Sequence, residues 1–142
     1  MNNNINCLIK SDYSNLKTFV INLDDYKENH VKQLPYLESI GLKVERFVGI
    51  NALKDEHLNP IYKEYISKFA LNFTPKSVIG CALSHILCCK HIYENYIINE
   101  SSYGGKTPFF WILEDDAYAR YNKLEFYKDL SRVIHVVTVL DI

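Results

Sequence analysis

The sequence predicts an α/β domain, an open and mostly parallel sheet with helices on its faces, and three stretches carry that expectation. Thr18-Phe19-Val20-Ile21-Asn22-Leu23 is β-branched and aromatic, the composition of a buried strand. A helical pattern over Tyr26 to Ile40 and a weakly alternating stretch from Lys43 to Val48 come next, and strand, helix, strand in that order favours a right-handed crossover between parallel neighbours. Much later, Phe109-Phe110-Trp111-Ile112-Leu113 runs without a polar residue and gives way directly to Glu114-Asp115-Asp116. Opened by Pro108, so short an apolar run reads as a strand covered on both faces.

Taken in order, residues 1–15 read as a loose leader with a short edge strand near Cys7-Leu8-Ile9, and residues 16–142 as one domain. Asp24-Asp25 offers helix-start chemistry, and Val31, Leu34, Leu37 and Ile40 then recur at helical spacing. Pro35 predicts a break or kink within that helix, and Gly41 its terminus. After a turn at His57-Leu58-Asn59-Pro60, Ile61 to Leu71 places Tyr62, Tyr65, Ile66 and Phe69 on a helical face. Thr74-Pro75, a hydroxyl cap followed by proline in the first turn, opens a helix to about Ile98. Its apolar side is expected to carry Ile79, Ala82, Leu83, Ile86, Tyr93 and Ile97. Gly80, Ser84 and Cys88, at steps of four, form a small-residue face suited to close approach. Asn99 to Thr107 reads as a loop around Gly104-Gly105; an amphipathic helix through Leu130 and a strand over Val133 to Leu140 follow the acidic run.

Bulk properties narrow the function. A chain of 142 residues, 48% hydrophobic and 23% charged, builds a core rather than a disordered tail. A net charge of −1 argues against nucleic acid as a partner, since such proteins carry a basic face. Cys7, Cys81, Cys88 and Cys89 lack the spacing of a secreted disulfide framework and read as reduced thiols. Met1 to Asn6 has no basic-then-apolar signal pattern, and no apolar run reaches membrane-spanning length. The expectation is a cytoplasmic protein without a transmembrane segment.

Ligands of open α/β sheets lie in the crevice beyond the carboxyl ends of the strands. If the last strand stays extended through Asp116, Glu114 and Asp116 point to one side and Asp115 to the other. Two converging carboxylates suit a hard divalent cation, which prefers oxygen ligands and bridges readily to phosphates. The plainer alternative is that Asp115 or Asp116 caps a helix starting at Ala117.

Three stretches, in this order, resemble glycosyltransferase family 25, which includes lipooligosaccharide galactosyltransferases and collagen-modifying relatives. They are Phe19-Val20-Ile21-Asn22-Leu23-Asp24, Ile79-Gly80-Cys81-Ala82-Leu83-Ser84-His85 and Ile112-Leu113-Glu114-Asp115-Asp116, and the similarity spans the chain from about Thr18 onward. The middle stretch is the most specific of the three. The resemblance implies a nucleotide-diphospho-sugar transferase fold of the GT-A type. It implies transfer of a hexose such as galactose from a nucleotide-sugar donor, a UDP-sugar above all, to a hydroxyl of a glycan or protein acceptor, as in lipopolysaccharide biosynthesis. Glu114, Asp115 and Asp116 would be the catalytic acids, with Glu114 and Asp116 holding Mn²⁺ or Mg²⁺. Asn22 and Asp24 would sit over the nucleotide, and Ser84 and His85 near the donor. Each has a plainer reading: Asn22 as a turn former, Ser84 as a small packing residue, His85 as a core histidine. Cys81, His85 and Cys88 also fall at i, i+4 and i+7, but one helix does not supply the four ligands of a structural zinc site.

The departures from the family pattern matter too. Many members carry basic residues where this chain has Glu28-Asn29-His30, leaving Lys27 as the candidate for the diphosphate contact. Gly49-Ile50-Asn51-Ala52 stands in place of a common Asp-Gly, and Val78 in place of an acidic residue. The family's chains continue well past the acidic motif, so the expectation is a domain truncated at its C-terminus that keeps the donor-binding part. Two rival functions stand beside the transferase: a silent remnant that binds a nucleotide or partner, and a metal-dependent phosphohydrolase using the same carboxylates.

Overall fold

The computed structural model describes residues 17–54, 60, 64–98 and 110–118. Strand β1 (Lys17–Asn22) lies at the centre of a three-stranded sheet ordered β2-β1-β3, with β2 spanning Lys43–Val48 and β3 Phe110–Glu114. Both pairings are parallel, Lys17 lying opposite Lys43 on one side and Phe110 on the other. The α/β class and the open parallel sheet are therefore as the sequence predicts.

Period-two alternation sorts the core into two layers. Val20 packs with Leu37, Ile40 and Leu42, joined by Trp111 and Leu113 of β3, beneath helix α1 (Lys27–Ser39). Phe19 and Ile21 face the other way, onto Cys88 and Ile92, with Phe110 and Ile112 beside them. Covered on both faces, β1 buries apolar residues at its central positions, and Thr18 and Asn22 are its buried polar exceptions, at 0% and 1% exposure.

Helix α1 ends as its sequence demands. Gly41 takes φ 90°, its N–H donates to the carbonyl of Glu38, and the N–H of Leu42 reaches the carbonyl of Leu37. This is a Schellman closure, with Leu37 and Leu42 in the same core cluster. Two expectations for α1 need correction. Pro35 does not break the helix, which runs through it unbroken with the proline on an exposed side. The buried face carries Gln33 rather than Val31, which is 66% exposed. Gln33 is selected over an apolar residue because its Nε2 donates to the main-chain carbonyls of Glu114 and Ala117, at 3.0 and 2.7 Å.

The single helix expected over Ile61 to Leu71 is interrupted, among its described residues, at Ile66-Ser67. The Ser67 hydroxyl accepts the N–H of Ala70 and starts a separate short helix, α2 (Lys68–Phe73). Thr74 caps nothing ahead of it; its N–H instead closes α2 on the carbonyl of Ala70. Helix α3 (Lys76–Ile92) begins after Pro75 without a side-chain cap and runs on through a π-helical turn, Tyr93–Ile97, to the expected end at Ile98. Its buried residues are Ile79, Gly80, Leu83, Ser84, Cys88 and Ile92, whereas Ala82 and Tyr93 face solvent. The small-residue face is thus part of the packed one. A Cβ on Gly80 would stand 2.7 Å from the Ile50 carbonyl oxygen, so only glycine lets α3 approach the segment after β2.

The leader at residues 1–15, Cys7, the Asn99–Thr107 loop, the amphipathic helix after Asp116 and the strand over Val133 to Leu140 fall outside the described residues. Among those that are described, no helix is long and apolar enough to cross a membrane.

Candidate functional site

A cleft of about 640 Å³, open to solvent, lies beyond the carboxyl ends of the strands. Its lining comes from Ile21 of β1 and Leu23 just past that strand, the segment Ile50 to Leu53 after β2, Ser77, Cys81 and Ser84 of α3, and Glu114-Asp115. Each wall is placed by the parallel sheet, which points all three strand ends at the same crevice.

Asn22 organises one side. Its Nδ2 donates to the carbonyl of Tyr26 at 2.8 Å and to Asp115 Oδ2 at 2.6 Å, while its Oδ1 accepts from Arg46 Nε at 2.7 Å. Arg46 spans onward to Asp24 Oδ1 at 2.8 Å, and Lys27 meets the same carboxylate at 3.2 Å. Hydrogen bonds from Arg46 and then Lys27 hold the Asp24 carboxyl below the usual carboxylate range. His30 on α1 is pushed down from its ordinary value, first by burial and then by the charge of Arg46, with Asp115 opposing, so its imidazole is neutral at physiological pH. Its Nδ1 is buried without a hydrogen-bond partner among the described residues.

The other side is built on Glu114. Its Oε1 accepts from Cys81 Sγ at 3.2 Å and meets His85 Nε2 at 3.1 Å. Hydrogen bonding from Cys81, then from His85, lowers the Glu114 carboxyl below its ordinary value. The same Cys81 contact, followed by burial, raises the thiol, which stays protonated near neutrality and is not an activated nucleophile. His85 is 40% exposed at its side chain, so it is not the core histidine of the plainer reading. The ligand atoms of Cys81, His85 and Glu114 all lie within 4.8 Å of one another, a sulfur, nitrogen and oxygen set of the kind divalent transition ions accept.

The three acidic residues therefore part company. Strand β3 ends at Glu114, and the N–H of Ala117 closes a turn on the Glu114 carbonyl at 3.1 Å. Glu114 faces α3 and Asp115 turns to Asn22, the alternation the sequence predicts for neighbours. Asp116 sits on the turn, exposed and outside the group that converges on Glu114, because the extended geometry that would align the two is lost one residue too early. Ala117 and Tyr118 are not helical, so among the described residues no helix starts at Ala117 for Asp115 or Asp116 to cap.

Ser84 binds the cleft wall together. Its hydroxyl donates to the Gly80 carbonyl at 2.7 Å and accepts the N–H of Ile50 at 2.8 Å, at 2% exposure. Asn51, in the segment that departs from the family pattern, and Lys54, just beyond it, both reach the Asp25 carboxylate. Sequence reasoning passed over Arg46, His30 and Gln33. The signal for Arg46 was present: on β2 it shares a side with Val44 and Val48, so a charge stands where the pattern calls for an apolar residue.

The family model described as glycosyltransferase family 25 (LPS biosynthesis protein) matches residues 15–140. No curated protein and no solved structure matches the chain. A match across nearly the whole length, on a parallel sheet whose strand ends gather the residues of all three motifs, establishes that the chain belongs to glycosyltransferase family 25.

Proposed function

We propose that the chain binds a nucleotide-diphosphate sugar, a UDP-hexose, in the cleft at the strand ends and passes the sugar to a hydroxyl of a glycan or protein acceptor in lipopolysaccharide-type biosynthesis. The position of Glu114 carries this reading: a carboxylate at the mouth of a parallel sheet, lining the cleft, with no lysine or arginine paired to it among the described residues. Glu114 would hold the divalent cation, and Asp116, exposed on the following turn, would add a second negative charge beside it. A bound cation of this kind supplies neutralisation of the diphosphate leaving group as the sugar–oxygen bond breaks. The chain's own residues do the positioning. Asn22 and Gln33 fix the ends of β1 and β3, Arg46 holds Asp24 in place over the nucleotide side, and Ser84 keeps the Ile50 wall at contact distance. Asp115, engaged by Asn22, orients the turn that presents Asp116.

Sugar release from UDP-hexoses, to acceptor or to water, tests the proposal. It should require a divalent ion and fall at least a hundredfold in Glu114→Gln and in Asp116→Ala, as is typical when a group stabilising developing charge is lost. Unchanged turnover in both folded variants would overturn it, and phosphate release from simple phosphoesters without sugar transfer would replace it with the phosphohydrolase reading.

A further inference from the structure

We infer that Cys81, His85 and Glu114 form a mixed sulfur, nitrogen and oxygen site that binds a borderline divalent ion of the zinc and cobalt type in preference to Mg²⁺. The inference deepens the transferase reading and rests on it for its place in the cleft, since the ion it describes sits at the same carboxylate. Two elements converge to make the site. Four residues apart on α3, Cys81 and His85 project from the same side, one turn above the other. Glu114 arrives from the end of β3 with one oxygen 3.2 Å from the sulfur and 3.1 Å from the imidazole nitrogen.

The dimensions suit coordination. Metal–ligand bonds of about 2.0–2.3 Å at tetrahedral angles separate neighbouring ligand atoms by roughly 3.3–3.7 Å. The three atoms here lie within 4.8 Å of one another, on side chains partly or largely open to solvent that can shift by the few tenths of an ångström required. Cys88, the third sulfur on the helix, is excluded: it is wholly buried against Phe19 and Ile21, and burial pushes its thiol up to about 11.

The donor set decides which ion is held. Thiolate and imidazole favour zinc, cobalt and their neighbours, whereas Mg²⁺ prefers six oxygens and keeps its waters. On binding, the Cys81 thiol gives its proton to solvent, and the imidazole, neutral, carries its proton on Nδ1 and offers Nε2. The main chain of Glu114 is fixed from behind by Gln33, itself 0% exposed, which preorganises the carboxylate. Three protein ligands leave the remaining position to water or an incoming phosphate oxygen, the pattern of open rather than structural sites. Cys81 and Glu114 both line the cleft, so that position faces the ligand space.

Cobalt(II) titration of the full chain tests this without reference to turnover. The expected result is one equivalent bound, with a near-ultraviolet thiolate-to-cobalt charge-transfer band that is lost in Cys81→Ser and retained in Cys89→Ser. His85→Ala should weaken binding by on the order of tenfold or more. Equimolar Mg²⁺ should leave the band unchanged. A spectrum with no thiolate band, a band that survives Cys81→Ser, or displacement by equimolar Mg²⁺ would each overturn the inference. Cys81 is solvent-exposed, so serine there leaves the packing intact, and His85→Ala gives an independent reading of the same site. An intact cobalt band together with absent sugar transfer would support the site while removing the transferase proposal.

Discussion

Asn22 and Asp115, 93 positions apart in the chain, are joined side chain to side chain at 2.6 Å where β1 and β3 end together. The bond pulls Asp115 away from the α3 side and leaves Glu114 facing Cys81 and His85 by itself. One buried carboxamide thus holds Glu114 and Asp115 to the two walls of the cleft that strand alternation assigns them.

Removing that carboxamide should be costly. Asn22→Ala strands the Tyr26 carbonyl, the Arg46 Nε and one Asp115 oxygen at a position 1% exposed. A buried group left without its partner costs about 1–3 kcal/mol, and water reaches some of these, so a total loss of about 3 kcal/mol is expected. Urea unfolding should show a lower midpoint with an unchanged slope. A loss under about 0.5 kcal/mol would mean that solvent replaces the amide freely.

Arg46→Lys keeps the charge and removes the fork. The guanidinium reaches Asn22 Oδ1 and Asp24 at once, at 2.7 and 2.8 Å, which a single ammonium cannot reproduce. The expected effect is a loss of about 1–2 kcal/mol and faster amide exchange at Tyr26, whose N–H closes the turn on Leu23. Exchange at Gly41, which belongs to the far end of α1, should stay as it was.

Gly80→Ala sets two effects against each other. Alanine gains about 1 kcal/mol of helix propensity over glycine. The new methyl, however, would meet the Ile50 carbonyl oxygen at 2.7 Å and Ala52 Cβ at 3.1 Å, and the nearer of these is backbone that cannot rotate away. Overpacking of this sort costs about 1–3 kcal/mol, so the variant should be less stable, with its melting temperature lowered by several degrees. The same displacement lengthens the bond from Ile50 N–H to Ser84, so the cleft should widen and, under the proposed function, bind UDP-hexose more weakly.

How legible this was in the sequence varied with the kind of signal. The parallel sheet was readable because Phe19 to Ile21 and Phe110 to Leu113 are apolar runs with no competing helical period, and Gly41 could only be a terminus. The step-of-four stripe of Gly80, Ser84 and Cys88 announced a close approach, and the structure puts the Ile50 segment against it. What failed depended on tertiary partners. Gln33 looks like a surface residue until the carbonyls of Glu114 and Ala117 arrive from 81 and 84 positions away. Val31 looks like core until α1 rotates to admit Gln33. The convergence of Cys81 and His85 on Glu114 was hidden for the same reason: helical spacing shows that two residues share a side, not which strand end meets them.

At the opposite end of the sheet, Lys17, Glu45 and Tyr96 form a cluster whose titration should shape the stability curve. Lys17 pairs with Glu45 at 2.8 Å, and both bond the Tyr96 hydroxyl. Burial acts to raise the Glu45 carboxyl, but hydrogen bonds from Lys17 and Tyr96 outweigh it, and the net shift is downward from 4.5. A carboxylate with a folded value below its unfolded one stabilises the fold above the unfolded value, and that stabilisation drains away as pH falls through the folded value. For Lys17, burial acts to lower the ammonium, yet bonding to Glu45 and Tyr96 prevails and the net shift is upward from 10.5. Its contribution is complete below 10.5 and is lost as pH climbs past the folded value. The pair should therefore give a plateau between these limits. Glu45 is 41% exposed at its side chain, so solvent screening keeps the plateau contribution under about 1 kcal/mol. Glu45→Gln should lower the urea midpoint slightly at neutral pH and flatten its decline as pH falls below 4.5. An acid limb as steep as that of the unsubstituted chain would show that other carboxylates, not Glu45, set the low-pH edge.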